Sequence, residues 1–485
     1  MDFKFPFNIE KLDEKQVEEL AKNAAQYALA NGILLSSPAG LTVHVPFMLF
    51  PSPFPRKLFH QAKEVQEDFN LLLHKVSQDH DFLKESLQGT IAADDFIARI
   101  FNIYEQTKIE GIAQPISLGL VRSDYMLDVD QQADINQNKN DEQMSIKQVE
   151  INTIAAGACH FGSELPGLGS YVLGLMDKDI PEGSLKLPSN SALIGIAEGI
   201  AQAWEMYGNK RAVILMVTND VDSAMFDQRP VEYYLHRRNP RIKMIKRSLL
   251  ELHERANLDD NKKLIIDGCE VAVVYYRSGY TPNDYPTEGV WATRLLVERS
   301  IAIKCPTAAL HLLTTKKMQQ VLAKPGVLER FISDEGSLQR IRKTFTGLYT
   351  LDEGLEGDQN VEMALQDPRK YVLKPQREGG GNNFYGDDIK TTLNKMRNAH
   401  ERSQYILMDK IRPPSFQNYI IRPEHEKPVL TNVVSELGVF GVLISIGDKL
   451  LINKQVGHLL RTKSDKIEDG GAMSGRAGYD SPYLV

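Results

Sequence analysis

Tyr371-Val372-Leu373-Lys374-Pro375-Gln376-Arg377-Glu378-Gly379-Gly380-Gly381-Asn382-Asn383-Phe384-Tyr385 is an apolar run that opens into a glycine-rich turn. Its first three residues read as a strand, and the glycine triplet frees the backbone behind it. Without Cβ atoms, such a loop can fold its N–H groups around an anion. Lys374 adds a point charge suited to phosphate, and Glu378 a hard oxygen ligand suited to Mg2+. Glycine runs are also common in plain linkers. A linker has no use for Lys, Arg, Glu and two Asn among its glycines, so the stretch reads as a nucleotide lid.

The lid belongs to neither common type. Its lysine precedes the glycines, and no G-x-x-x-x-G-K-[ST] occurs in the chain. The nearest dinucleotide candidate, Gly167-Leu168-Gly169, continues Ser170-Tyr171-Val172 without a third glycine.

Around this stretch lie 485 residues, 42% hydrophobic and 25% charged, enough for two or three lobes of an ordinary globular protein. A net charge of -7 argues against nucleic acid or an anionic membrane as the main partner. No apolar run reaches the length of a bilayer span, and the acids in MDFKFPFNIEKLDEK leave no secretory core. A cytoplasmic location is expected, or secretion if a signal peptide was removed from this chain. Cys159, Cys269 and Cys305 stand apart, which suggests neither a disulfide framework nor a zinc site.

Helical periodicity predicts helices from Glu10 to Ala30, from about Phe59 to Val76 and from about Ala92 to Glu105. Ile116 to Leu120 reads as a strand with Arg122 just past its end, and 128–143 as a solvated loop. In 146–153 the period of two sets Glu150 and Asn152 on one face, which suits a divalent cation or a polar strand face in water. Strands and helices alternate from 210 to 304, which predicts a small α/β domain with a largely parallel sheet. Arg277 and Tyr280 follow its last strand, where open α/β sheets bind ligands, although an ordinary ion pair would also explain the arginine. The region 333–367 reads as helical and polar, and 405–411 as a strand. Another strand is expected to begin at Ser435-Glu436 and run to Val442, and a second glycine-rich loop spans 469–476.

Lysines, arginines, two glycine-rich loops and several oxygen ligands suit phosphoryl chemistry, which needs positioning and charge neutralisation more than a nucleophile. No Ser-His-Asp signature or reactive-cysteine context competes. The reaction class read from these residues is ATP-dependent activation of a carboxylate.

KPQREGGGNN followed closely by tyrosine resembles the glycine-rich loop of eukaryotic glutathione synthetases, ligases of the ATP-grasp fold. LVRSDYML (120–127), VEINTI (149–154), MFDQR (225–229), VVYYRSGY (273–280), TKKMQQ (315–320), VSELGVFGV (434–442) and GHLLRTK (457–463) resemble further family blocks in the same order. The resemblance implies an α/β ATP-grasp fold with an inserted parallel-sheet domain. Its parts would be 1–209 (helical region and first part of the core), 210–315 (substrate domain) and 316–485 (core and lid, with loops 376–383 and 464–476). It implies a ligase that joins γ-glutamylcysteine and glycine through an acyl phosphate, with ATP, two Mg2+ ions and a homodimer. Glu150, Asn152 and Glu378 would bind metal. Lys316 and Lys374 would hold phosphates under Gly379, Gly380, Gly381, Asn382 and Asn383. Tyr385, Met408, Lys410, Glu436 and Lys463 would meet the rest of the nucleotide. Arg122 and Arg461 would bind substrate carboxylates, and Gln228, Arg277 and Tyr280 the dipeptide.

The peptide side departs from the family pattern. Ala155 and Gly157 stand where the family usually has two serines, Asp222 and Ala224 where it has Glu and Asn. Ala472 and Met473 alter the C-terminal loop. Lost hydrogen bonds to a polar substrate reduce discrimination. A ligase with another acceptor or γ-glutamyl donor, and a nucleotide-binding paralogue with little ligase activity, therefore stand beside glutathione synthesis as readings.

Overall fold

One sheet joins the two ends of the chain. Its strands run in the order Phe416–Ile421, Phe47–Met48, Ala477–Asp480, Lys449–Ser464, Val429–Ile446, Ile116–Val129 and Met144–Asn152. Phe416–Ile421 also pairs with Val429–Ile446, closing five of these strands into a ring. The structure, a computed structural model, describes residues 9–36, 40–129, 144–178, 180–219, 223–378, 380–396, 399–425, 427–469, 471 and 475–485.

The central strands read as continuous apolar runs because both faces are covered. Leu437, Val439 and Leu443 pack into a core with Phe59 and Phe69 of the helix Arg56–Gln78. Phe440, Val442 and Ile444 point the other way, into a core with Ile196 and Ile200 of Ala192–Tyr207.

A second sheet, antiparallel, has the order Leu348–Thr350, Tyr405–Asp409, Tyr371–Pro375, Phe384–Tyr385. Leu351, Val361, Leu373, Ile389, Leu393 and Leu407 form its own small core. The third sheet is the expected parallel one. Met244–Arg247, Val213–Val217, Cys269–Tyr276 and Ile303–Cys305 pair in parallel, and Leu264–Ile266 and Ala256–Leu258 extend it antiparallel.

Several expected boundaries shift for local reasons. The first α-helix begins at Glu14, because Asp13 forms a capping box with Gln16. The helix expected from Ala92 begins at Asp95, where Asp94 accepts from Ile97 N. Arg122 sits within a strand of 14 residues, not past its end, and Glu436 lies inside a strand that already begins at Val429. Leu348–Thr350 interrupts the region expected to be helical, since its aromatic and β-branched residues favour pairing with the next sheet. Most of the expected 128–143 loop lies outside the described residues; Asp128 and Val129 are still strand.

Candidate active site

The three sheets meet at a cavity of about 330 Å³. Its wall brings together Arg122, Glu150, Asn152, Ala155, Gly157, Ala224, Gln228, Arg277, Tyr280, Lys374, Glu378, Gly380, Asn383, Glu436 and Arg461. Residues separated by more than 300 positions meet because Ile116–Val129 and Met144–Asn152 share one sheet with Val429–Ile446 and Lys449–Ser464. Arg122 faces Asn152 across one strand pair, and Glu436 faces Arg461 across another.

At the anionic-ligand end, the ammonium of Lys316 lies 2.5 Å from Glu378 Oε1 and 3.3 Å from Glu150 Oε2. Burial pushes the Glu378 carboxyl up to about 7, against the pull of Lys316. Burial acts on Glu150 in the same direction, but Lys316, Lys374, Arg461 and Arg122 together hold it well below the usual carboxylate range. Lys374 is buried, which lowers its pKa, and its ammonium donates to the Val149 carbonyl at 2.7 Å. A bulge opposite Asp124 and Tyr125 leaves Val149 out of the ladder.

The donor set fits a hard divalent cation. Two carboxylates already share one cation, and the Asn152 amide nitrogen is committed to Asp124 Oδ2 at 2.9 Å, so its oxygen is the atom left to coordinate. Among the described residues no cluster of three His, Cys, Asp or Glu could hold a metal by itself. Mg2+ takes one or two carboxylates and completes its shell with phosphate oxygens and water.

Gly380 and Gly381 have φ of 68° and 79°, the left-handed region that the glycine run was expected to supply. The loop is tied down at both ends. Gln376 Oε1 accepts from Lys317 N at 3.0 Å, Arg377 pairs with Asp94, and Asn383 N donates to Asp469 Oδ2 of the second loop at 3.1 Å.

At the other end, Arg277 is folded back on the protein. It donates to the Ala156 carbonyl and to Asp227 Oδ2, each at 2.9 Å, with its side chain 6% exposed. Asp227 also accepts from Ala158 N and His160 N, capping a helix whose own N-cap residue, Ala158, has no side-chain hydrogen bond to give. Ala155 and Ala158 both hold positive φ, 51° and 70°, a strained backbone of the kind found at ligand sites. Tyr280 and its neighbours Gly279 and Thr281 donate their backbone N–H groups to Asp284.

Other expected residues lie beyond this wall. Gly381 and Tyr385 line an adjoining cleft with Glu468 and Asp469, and Asn383 lines both this cleft and the main cavity. Lys410 lies over the Tyr385 ring and pairs with Glu468, whose carbonyl accepts from Lys463 at 2.8 Å. Asn382 is exposed, and Met408 is buried opposite Leu348 and Val372. Gly379, Asp222, Ala472 and Met473 lie outside the described residues. Sequence reasoning missed Asp124, Asp227, Lys317 and Gln376 as organisers of the site. All four stood inside recognised blocks, but an acid or amide that serves a neighbour has no signature of its own.

The model of the eukaryotic glutathione synthase ATP-binding domain matches residues 14–484. Glutathione synthetase of Rattus norvegicus is 45% identical over 479 residues, 98% of each chain. The Dictyostelium discoideum enzyme is 41% identical over 490 residues, 97% of this chain and 100% of its own. A solved glutathione synthetase-like effector from Globodera pallida in apo form superposes with a TM-score of 0.79 at 29% identity, covering 99% of this chain and 100% of that one. Fold and site thus define an ATP-dependent ligase of the α/β, ATP-grasp type, which uses ATP and Mg2+. The chain belongs to the eukaryotic glutathione synthetase family.

Proposed function

We propose that this site joins γ-glutamylcysteine to glycine, giving glutathione, ADP and phosphate. The γ-phosphoryl group of ATP passes to the cysteinyl carboxylate as an acyl phosphate. The glycine amine then attacks that carbonyl and displaces phosphate. The observation that carries the reading is the continuity of one cavity from Lys374, Glu150 and Glu378 to Arg122, Arg461 and Arg277. For this transfer the reacting phosphoryl group and carboxylate must be held within about 3.5 Å of each other, so the groups that bind them must share one cavity.

Lys316 and Lys374 hold the phosphates, and Gly379, Gly380, Gly381, Asn382 and Asn383 close over them. Glu150, Asn152 and Glu378 would hold two Mg2+ ions. When bound, Mg2+ neutralises the phosphate oxygens across which the phosphoryl group moves. Tyr385, Met408, Lys410, Glu436 and Lys463 serve the nucleotide. Arg122 and Arg461 bind substrate carboxylates and balance charge at the reacting carbonyl. Gln228, Arg277 and Tyr280 receive the dipeptide, and we assign Ala155, Gly157, Asp222, Ala224, Ala472 and Met473 to its recognition. Loop closure excludes water that would hydrolyse the acyl phosphate.

We take residues 210–315 as the substrate domain between 1–209 and 316–485, the active unit as a homodimer and its location as cytoplasmic. Among the described residues no helix is long and apolar enough to cross a membrane.

The test is ADP release with Mg·ATP, γ-glutamylcysteine and a panel of amino-acid acceptors, with products identified by mass. Glutathione formed with glycine establishes the reading. Turnover only with another acceptor or donor assigns the Ala155, Gly157 and Ala224 walls to a changed specificity, and nucleotide binding without turnover removes the ligase reading.

A further inference from the structure

Asp124 is fully buried in the middle of its strand, yet both of its oxygens face the cavity machinery. Oδ1 accepts from Arg122 Nε at 2.7 Å. Oδ2 accepts from Arg122 Nη2 at 2.8 Å, Arg461 Nη2 at 2.9 Å and Asn152 Nδ2 at 2.9 Å. We infer that Asp124 is the positioning residue of the ligase site, fixing Arg122, Arg461 and Asn152 in one array; this rests on the reading of those residues given above.

The chemistry of the contacts decides its role. One donor on Oδ1 and three on Oδ2 occupy the carboxylate, so Asp124 has little capacity left to bind a substrate or a cation itself. It acts through the groups it holds. Two guanidiniums aimed at one cavity repel each other, and a carboxylate between them offsets that repulsion and sets their directions at once. Arg461 has a second acid partner in Glu436, whereas the other contact of the Arg122 guanidinium is the Gly157 carbonyl at 3.1 Å. Among the described residues, Asp124 is therefore the one ion-pair partner of Arg122.

The fold makes room for this arrangement. Gly438 lies directly opposite Asp124 across the strand pair. A Cβ at position 438 would come within 2.7 Å of Asp124 Oδ1 and 2.8 Å of Arg122 Cδ. A glycine inside a buried strand weakens it, and here its absent side chain is the space the Arg122–Asp124 pair occupies.

The test compares steady-state kinetics of the full-length protein and its variants Asp124→Asn, Gly438→Ala, Arg122→Lys and Arg461→Lys. A thermal melt and direct Mg·ATP binding are run on each. Asp124→Asn keeps the shape and removes the charge, and kcat/KM for dipeptide and glycine should fall by about 100-fold, the cost of misplacing reacting groups by an ångström. Mg·ATP affinity should fall by much less than kcat/KM, because Glu150 and Glu378 keep their contacts with Lys316 and only Asn152 loses an orienting partner. The double variant Asp124→Asn/Arg461→Lys should lose much less than the product of the single losses, because both changes disable one array. Gly438→Ala should show the same kinetic signature with every charge retained, and it carries the test if Asp124→Asn does not fold.

Wild-type kinetics in both arginine variants would remove the reading of the arginines, and the inference with it. Impaired arginine variants beside an active Asp124→Asn, or multiplicative losses in the double variant, would overturn the inference alone.

Discussion

Lys316 Nζ donates to Glu378 Oε1 at 2.5 Å, and the same ammonium reaches Glu150. A lysine thus lies between the two acids that we assign to metal. Removing one acid should leave the lysine in place and weaken the cation site. Glu378→Gln should raise the Mg2+ concentration for half-maximal activity by at least about tenfold, by analogy with the loss of metal-supporting groups. A Mg2+ titration at fixed ATP checks this, and an unshifted midpoint would take Glu378 off the list of ligands.

Gly157 leaves room for Arg277. A Cβ there would fall 2.8 Å from Arg277 Nη2, too close for both to keep their places. Gly157→Ala should push the guanidinium off Asp227 and raise KM for γ-glutamylcysteine by about tenfold, the low end of what one misplaced group costs in a specificity pocket. KM for ATP should not move. A larger change for ATP than for the dipeptide would place Gly157 in the wrong half of the cavity.

Asp227 serves two masters, a buried arginine and the N-terminus of the Cys159–Gly174 helix. Asp227→Ala leaves Arg277 charged, buried and short of an acid partner. Breaking a buried pair this way costs about 3–5 kcal/mol. Thermal or urea unfolding should show a loss of that order, and a loss under about 1 kcal/mol, typical of exposed pairs, would show that the pair is solvated.

Asp480 offers a test by pH. Burial pushes its carboxyl up to about 7 from an ordinary 3.8, although Thr462 Oγ1, Ser52 N and Ser481 N all donate to it. The native state therefore holds a proton that the unfolded chain has released. Its contribution to stability is fully present below the unfolded pKa and is lost as pH rises towards about 7, by up to about 1.4 kcal/mol per pH unit. The difference in melting temperature between wild type and Asp480→Asn should shift in favour of the variant between pH 5 and 8. A constant difference would mean that Asp480 titrates like an exposed acid.

Much of the architecture was legible because it is written in local periodicity. The alternating segments from 210 to 304 gave the parallel sheet, since a buried strand and an amphipathic helix differ in repeat. The glycine run supplied its left-handed residues where expected. The alternation of Glu150 and Asn152 was visible, but the bulge that frees the Val149 carbonyl for Lys374 was not. A bulge depends on the register between Ile116–Val129 and Met144–Asn152, which side-chain alternation along one strand does not report.

The sequence by itself determined the residue types of the site, the family and the phosphoryl chemistry they imply. Only the tertiary structure decided their neighbours: that Asp124 is shared by Arg122 and Arg461, that Asp227 holds Arg277, and that Lys316 bridges two acids. Motif identity is a local property of the chain. The pairing of Asp124 with Arg461 depends on the register of Ile116–Val129 against Val429–Ile446, strands more than 300 residues apart, and the other pairs on how loops and helices pack beside that sheet.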